Sequence, residues 1–246
     1  MQRSLTQLRS FKLSWLKPGI HRGACNFPPS DLSDMRKSYR SADDTLSVDQ
    51  FVSTDPFQQF NSWFKEAAKC PKIYEANTMC LSTCSLNGKP SSRILLLKGI
   101  DHRGFLFYTN YESRKAQELE ENPKASLCFY WDALMRSVRV DGEVEKLDKN
   151  TSEKYFQSRP KDSQISVYVS EKQSLPVESR QLLELRRNEL NKRFEKIDTL
   201  PKPDYWGGYR LVPKEFEFWQ GQTDRLHDRF VFRLSKVGWK IQRLFP

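Results

Sequence analysis

The sequence predicts a mainly β domain with α additions, an α+β fold built on a small antiparallel barrel. Three observations point there. Short apolar runs recur from Met79 to Leu244, turn-forming residues join successive runs, and helical periodicity is confined to a few inserted segments. Closing such a sheet on itself removes the exposed strand edges that would otherwise invite pairing with other chains.

The elements follow in order. Residues 1–34 form a basic extension: the first thirty carry five Lys or Arg and no Asp or Glu, with Leu5, Leu8, Phe11 and Leu13 loosely clustered. Two readings stand for it, a disordered tail and an organelle transit peptide, the latter implying a mitochondrial location. Met35-Arg36-Lys37-Ser38-Tyr39 then opens a domain running to residue 246. Asp55 as N-cap, Pro56 at the first helical position and Phe57, Phe60, Phe64 and Ala67 or Ala68 at helical spacing predict a helix. The runs Met79–Cys84 and Arg93–Leu97 flank Asn87-Gly88, a hairpin signal. A second hairpin is expected between Ile94–Lys98 and Phe105–Thr109, across Asp101-His102-Arg103-Gly104. Tyr111–Leu119 reads as a helix, Leu127–Trp131, Ser137–Val140 and Glu143–Leu147 as strands, and Thr151–Arg159 as a helix stopped by Pro160. Glu178–Lys196 is a long charged helix with Leu182, Leu185, Leu190 and Phe194 as its expected buried stripe. Beyond Pro201-Lys202-Pro203 the expected strands are Gly208–Val212, Phe216–Gln220, Arg225–Arg233 and Trp239–Leu244.

Composition excludes several classes. At 246 residues and 37% hydrophobic content the chain suits one large domain. The longest apolar run, Ile94-Leu95-Leu96-Leu97, is far too short to span a bilayer, which predicts a soluble, cytoplasmic protein with no membrane partner. The net charge of +10 draws half its excess from the first thirty residues, so the folded part favours small anions over nucleic acid. Five cysteines without a CxxC pair or metal spacing predict reduced thiols and no metal site.

The chemistry concentrates in three places. Arg93, Lys98, Thr109, Ser113, Arg114 and Lys115 supply the cations and hydroxyls that a phosphate needs, and Ser113-Arg114-Lys115 sits at the entry to a helix, where backbone N–H groups and the helix dipole favour an anion. Ordinary surface basicity is the alternative. Tyr155, Arg159 and Ser163, spaced by four, place the first two on one helical face and make a donor set suited to a phosphate monoester. Finally, if Arg225–Phe232 is a strand, period-two alternation puts Arg225, His227 and Arg229 on one face, next to the Gly221-Gln222-Thr223-Asp224 turn. An exposed edge strand with solvated charges is the plain alternative there.

Phe218 to Phe232 closely resembles the C-terminal signature of the pyridoxine (pyridoxamine) 5'-phosphate oxidase family. Arg93–Lys98, Tyr108–Lys115, Tyr155–Gln164 and Trp206–Gly208 match the same family in order, so the resemblance covers roughly residue 35 to the end. It implies the FMN-binding split-barrel fold, a homodimer with a C-terminal dimerisation region, and oxidation of pyridoxine 5'-phosphate and pyridoxamine 5'-phosphate to pyridoxal 5'-phosphate. In that reaction a hydride passes from the substrate C4' carbon to flavin N5, and O2 reoxidises the flavin with release of hydrogen peroxide. It assigns FMN contacts to Arg93, Ile94, Leu95, Leu96, Thr109, Ser113, Arg114, Lys115, Ser137, Gln173, Ser174, Trp219 and Arg229. Lys98, Tyr155, Arg159 and Ser163 fall on substrate-phosphate positions, and Arg225 and His227 on catalytic positions facing the substrate ring. The chain departs from the family at Ser137, within Arg136-Ser137-Val138-Arg139, where Gln is usual, and Glu171-Lys172 looks one residue longer than the family pattern. A flavin- or pyridoxal-phosphate-binding barrel without turnover is the alternative function, and an RNA-binding basic protein a third.

Overall fold

The structure is a computed structural model that describes residues 45–246. The basic extension and Met35–Tyr39 lie outside the described residues.

Helix α1 (Pro56–Lys69) starts as expected, with the Asp55 carboxylate accepting from the Phe57 N–H at 3.0 Å and Pro56 occupying a position where no donor is required. Its apolar face buries Phe60, Trp63 and Ala67. Phe60 meets Phe105 and Phe129 edge-on, with ring centroids 4.9 and 5.0 Å apart, so this helix fills the concave side of the sheet.

That sheet has nine strands: β1 (Thr78–Cys84), β2 (Pro90–Leu96), β3 (Gly99–Ile100), β4 (Phe105–Asn110), β5 (Lys124–Trp131), β6 (Arg136–Lys146), β7 (Trp206–Gln220), β8 (Asp228–Ser235) and β9 (Gly238–Leu244). Every pairing is antiparallel, in the order β2-β1-β5-β6-β7-β4-β3, with β8 joined to β7 and β9 to β8. The β1–β2 hairpin turns at Gly88, whose φ of 80° favours glycine. The second hairpin differs from expectation. Ile94–Leu96 belongs to β2 at one end of the sheet, and the strand opposite Phe105–Leu106 is only Gly99–Ile100.

Two strands that the sequence splits are continuous. Ser137–Val140 and residues 143–146 of the expected Glu143–Leu147 are parts of β6, and Gly208–Val212 and Phe216–Gln220 are parts of β7. Both apparent breaks meet at one point, where Gly142 lies opposite Pro213 and the register shifts between Asp141 and Gly142. The bulge absorbs the proline, which has no N–H to give the ladder, and a Cβ on Gly142 would lie 2.1 Å from the Val212 carbonyl oxygen. β7 therefore serves as the common spine: its first half pairs with β4, its second half with β8, and β6 runs along its other edge.

The remaining helices are α2 (Arg114–Glu121), α3 (Lys149–Ser158), α4 (Lys161–Val169) and α5 (Arg180–Phe194). Helix α4 has no counterpart in the sequence reading: Ile165, Val167, Tyr168 and Val169 form one short apolar block at its C-terminal end, and tertiary contact decides the conformation, with Ile165 and Val167 buried beside Phe156, Phe194, Leu200 and Trp206. The expected stripe of α5 is corrected too. Phe194 is buried and Leu190 packs beside it, whereas Leu182 and Leu185 are 48% and 60% exposed, because the helix meets the second core at its C-terminal end.

Candidate active site

Helix α2 brings the first cluster together. Its N-cap, Ser113, follows β4, and the Ser113 hydroxyl donates to the Asn110 carbonyl at 2.7 Å. Lys115, in the first turn, is buried, and its ammonium donates to Thr109 Oγ1, Ser113 Oγ and Gln173 Oε1 at 3.1, 3.2 and 3.2 Å. All three acceptors are neutral. Burial, with help from the nearby Arg93 charge and against the pull of Glu118, lowers the Lys115 pKa from 10.5 to about 8. Ser174 adopts a left-handed φ of 76°, and its hydroxyl accepts from the Arg114 backbone N–H at 3.2 Å. The turn at Glu171-Lys172 delivers Gln173 and Ser174 to the N-terminus of α2.

Behind these groups lies Glu118, which sequence reasoning missed. One of its oxygens accepts from Arg114 Nε at 2.8 Å; the other accepts from Ser91 and Thr83, both at 2.5 Å, and from Arg93 Nη2 at 3.2 Å. Burial alone raises its pKa, but these hydrogen bonds and the Arg114 charge win and hold it at about 2. The helical spacing of Arg114 and Glu118 was the available signal. Through this carboxylate, Arg93 at the far end of the sheet and Lys115 beside β4 share one neighbourhood. Of its sequence neighbours on β2, Ile94 is 65% exposed, and Leu95 and Leu96 are partly buried.

A second cluster surrounds Arg159. This residue ends α3 in an extended conformation that the following proline requires, and its guanidinium lies 4.9 Å from the centre of the Trp206 ring. Burial lowers its pKa, with only Tyr155 opposing, and Arg159 Nη1 is buried without a hydrogen-bond partner. Tyr155 stacks on Tyr108 at 3.7 Å and on Trp206 at 6.1 Å, so the expected common face of Tyr155 and Arg159 is real. Ser163 lies in the first turn of α4. Lys98 is exposed, and its backbone N–H donates to Leu106 O in β4, two residues before Tyr108.

The third group lies on β6, β7 and β8. Ser137 is registered against Trp219, and Trp219 against Arg229. These three side chains line one groove of about 470 Å³. Arg229 donates to Glu217 Oε1 at 2.7 Å and to the Phe245 carbonyl at 3.1 Å. The expected strand through Arg225 and His227 is corrected: β8 begins at Asp228, and the two residues occupy the preceding turn, with Arg225 at φ 67°. Local bonds outcompete the ladder here, since Asp224 Oδ1 accepts from the Leu226 N–H at 2.8 Å and buried Asp228 accepts from Gln222 Nε2 at 2.8 Å. His227 Nδ1 accepts from the Gln222 N–H at 3.0 Å, and its ring lies 5.1 Å from that of Trp219. Arg225, His227 and Arg229 therefore do not share one pleated face, although the turn keeps His227 beside Trp219. Ser174 and Arg225 are two of the three non-glycine residues with positive φ among the described residues, so backbone strain gathers where the candidate side chains gather.

A curled antiparallel sheet of nine strands, with helices inserted between them and cationic side chains gathered beside α2 and α3, is a split-barrel fold. A family model described as pyridoxamine 5'-phosphate oxidase matches residues 64–194, and one described as the pyridoxine 5'-phosphate oxidase C-terminal dimerisation region matches residues 206–246. Pyridoxine-5'-phosphate oxidase of Bos taurus is 52% identical over 203 residues, 82% of this chain and 77% of the relative. Pyridoxine/pyridoxamine 5'-phosphate oxidase of Burkholderia mallei (strain SAVP1) is 50% identical over 219 residues, 87% of this chain and 99% of the relative. Among solved structures, PhzG from Burkholderia lata 383, in complex with tetrahydrophenazine-1-carboxylic acid, superposes with a TM-score of 0.76 at 29% identity, covering 84% of this chain and all of that one. The chain belongs to the pyridoxamine 5'-phosphate oxidase family. No helix among the described residues is long and apolar enough to cross a membrane.

Proposed function

We propose that the protein oxidises pyridoxine 5'-phosphate and pyridoxamine 5'-phosphate to pyridoxal 5'-phosphate, using FMN and O2 and releasing hydrogen peroxide. One observation carries this reading: two cationic centres, the buried Lys115 and the half-buried Arg159 with its buried Nη1, each lack a carboxylate at ion-pair distance among the described residues. A buried cation without a counter-ion is costly, and a phosphate dianion offsets that cost with charge-assisted bonds. The reaction needs two such anion sites, one for the cofactor and one for the substrate.

Arg93, Thr109, Ser113, Arg114, Lys115, Gln173 and Ser174 fit the FMN phosphate, with Ile94, Leu95 and Leu96 lining its approach and Ser137, Trp219 and Arg229 at the flavin. When bound, FMN supplies two-electron redox chemistry, taking up the electrons removed from the substrate and returning them to O2. Tyr155, Arg159, Ser163 and Lys98 bind the substrate phosphate, and Arg225 and His227 orient its ring. Because Nδ1 of His227 accepts a backbone hydrogen bond, its neutral form carries the proton on Nε2.

The two flavin-contacting groups of one chain are widely separated. Thr109 is registered against Gly207 and Arg229 against Trp219, positions 12 residues apart on β7 (219 − 207). That is a contour on the order of 40 Å at about 3.3 Å per residue, longer than one flavin mononucleotide. A homodimer, in which one chain supplies the phosphate side and its partner the Trp219–Arg229 side, resolves this.

The test is to load the purified full chain with FMN, record its flavin spectrum, and add pyridoxine 5'-phosphate under air. The expected result is equimolar pyridoxal 5'-phosphate and peroxide. A chain that takes up no FMN overturns the proposal, and one that binds FMN without turnover selects the non-catalytic alternative.

A further inference from the structure

We infer that Trp206 is the positioning residue for substrate-phosphate recognition: its indole holds the Arg159 guanidinium without occupying the N–H donors that a phosphate ester needs, and Tyr108 and Tyr155 hold the indole. The inference rests on the assignment of Arg159 to the substrate phosphate and adds Trp206 and Tyr108, to which that assignment gives no role.

The chemistry begins with the shape of the guanidinium. Its five N–H donors lie in one plane, so a partner on its face leaves the whole edge free, whereas a carboxylate at its edge occupies the donors that a phosphate needs. The protein contains both arrangements. Arg93 and Arg114 are tied at their edges to Glu118. Arg159 has no such partner; its cation rests against Trp206, with Nη1 buried and unpaired. Trp206 is well suited to the task because it is nearly immobile. It is 6% exposed, its ring stacks within 17° of Tyr108 and within 10° of Tyr155, and Phe156 meets it edge-on at 5.5 Å. Its backbone is held by pairing with Asn110 in β4, by the Pro203 carbonyl accepting from its N–H at 3.1 Å, and by Lys202 Nζ donating to its carbonyl at 2.9 Å. The stack thus transmits the position of β4 and β7 to the end of α3, where Pro160 already restricts the Arg159 backbone. A guanidinium pre-set in this way loses less rotamer freedom when it meets its ligand.

The experiment compares Trp206→Leu, Trp206→Phe, Arg159→Ala and the double variant Arg159→Ala/Trp206→Leu as FMN-loaded full-length protein. For each, the KM of pyridoxine 5'-phosphate is set against the inhibition constant of pyridoxine, which lacks the ester. Trp206→Leu is expected to raise KM about tenfold and to leave kcat and the pyridoxine constant within about twofold; Trp206→Phe, which keeps a weaker face, should recover most of the loss. In the double variant the Trp206 effect should vanish, because no guanidinium remains to be held. Equal weakening of both ligands, or losses that multiply in the double variant, would show a merely structural role and overturn the inference. If Trp206→Leu does not fold, Trp206→Met, which also lacks the ring face, combined with Arg159→Ala reads the same coupling. An Arg159→Ala protein with unchanged KM overturns the underlying assignment, and a normal Arg159→Ala effect with a silent Trp206→Leu overturns only the role of Trp206.

Discussion

Replacing Lys115 with Met should stabilise the protein while weakening its hold on FMN. Lys115 is 7% exposed, and its ammonium exchanges water for three neutral oxygens. The fall of its pKa from 10.5 to about 8, at about 1.36 kcal/mol per unit of pH, sets a ceiling of about 3 kcal/mol on the destabilisation carried by the charge. Relaxation and residual solvent screening reduce this to roughly 1–2 kcal/mol. Methionine fills a similar volume without the charge. The former acceptors keep other bonds, since Gln173 Oε1 still accepts from Thr109, and Ser113 still donates to Asn110. The sign in pH follows from the depressed folded-state value. Below about pH 8 both states hold the proton, and the folded state carries the full penalty. From about pH 8 to 10.5 the unfolded state binds more protons, so wild-type stability rises across that window. Thermal melts without added FMN should place the variant about 2–8 °C above wild type at pH 7, at roughly 2–4 °C per kcal/mol for a domain of this size, with the gap closing towards pH 10. In flavin titrations the same variant should lose tenfold or more in FMN affinity, the loss of one charge-assisted contact of about 1.5–3 kcal/mol. A variant less stable at pH 7 that binds FMN as well as wild type would refute both halves of the reasoning.

Arg229→Ala should lose FMN affinity by about tenfold and regain activity at high added FMN, whereas His227→Ala should stay yellow and turn over slowly; the reverse pattern in flavin titration and steady-state kinetics would show the two assignments to be exchanged. Removing residues 1–34 should leave turnover unchanged, since that stretch offers no apolar pattern able to bury a core face; lost activity with a retained far-ultraviolet spectrum would place the extension in the site. Gly142→Ala should cost several kcal/mol in chemical denaturation, because its Cβ would lie 2.1 Å from a backbone oxygen with no flexible side chain to yield, and an unchanged denaturation midpoint would mean that the bulge repacks freely.

The sequence by itself determined what depends on neighbours along the chain. The start of α1 follows from Asp55 and Pro56, the β1–β2 turn from Asn87-Gly88, and the common face of Tyr155 and Arg159 from their spacing of four. The family resemblance was also legible, because Arg93–Lys98, Tyr108–Lys115 and Phe218–Phe232 are local motifs. The tertiary structure alone decided what depends on residues distant in sequence. Gly142 and Pro213 look like two separate strand breaks and become one bulge because they face each other across β6 and β7. Residues Lys161–Val169 carry only a short apolar block and become α4 where Ile165 and Val167 are buried with Phe156, Phe194 and Trp206. Arg225 and His227 leave the predicted strand because Asp228, held by Gln222, Arg243 and Leu46, anchors the turn in which they sit. Glu118 and Trp206 read as an ordinary helix glutamate and an ordinary strand aromatic until folding places the first between Arg93 and Arg114 and the second beneath Arg159. A side chain acquires these roles from charge and burial, and both are properties of the space around it.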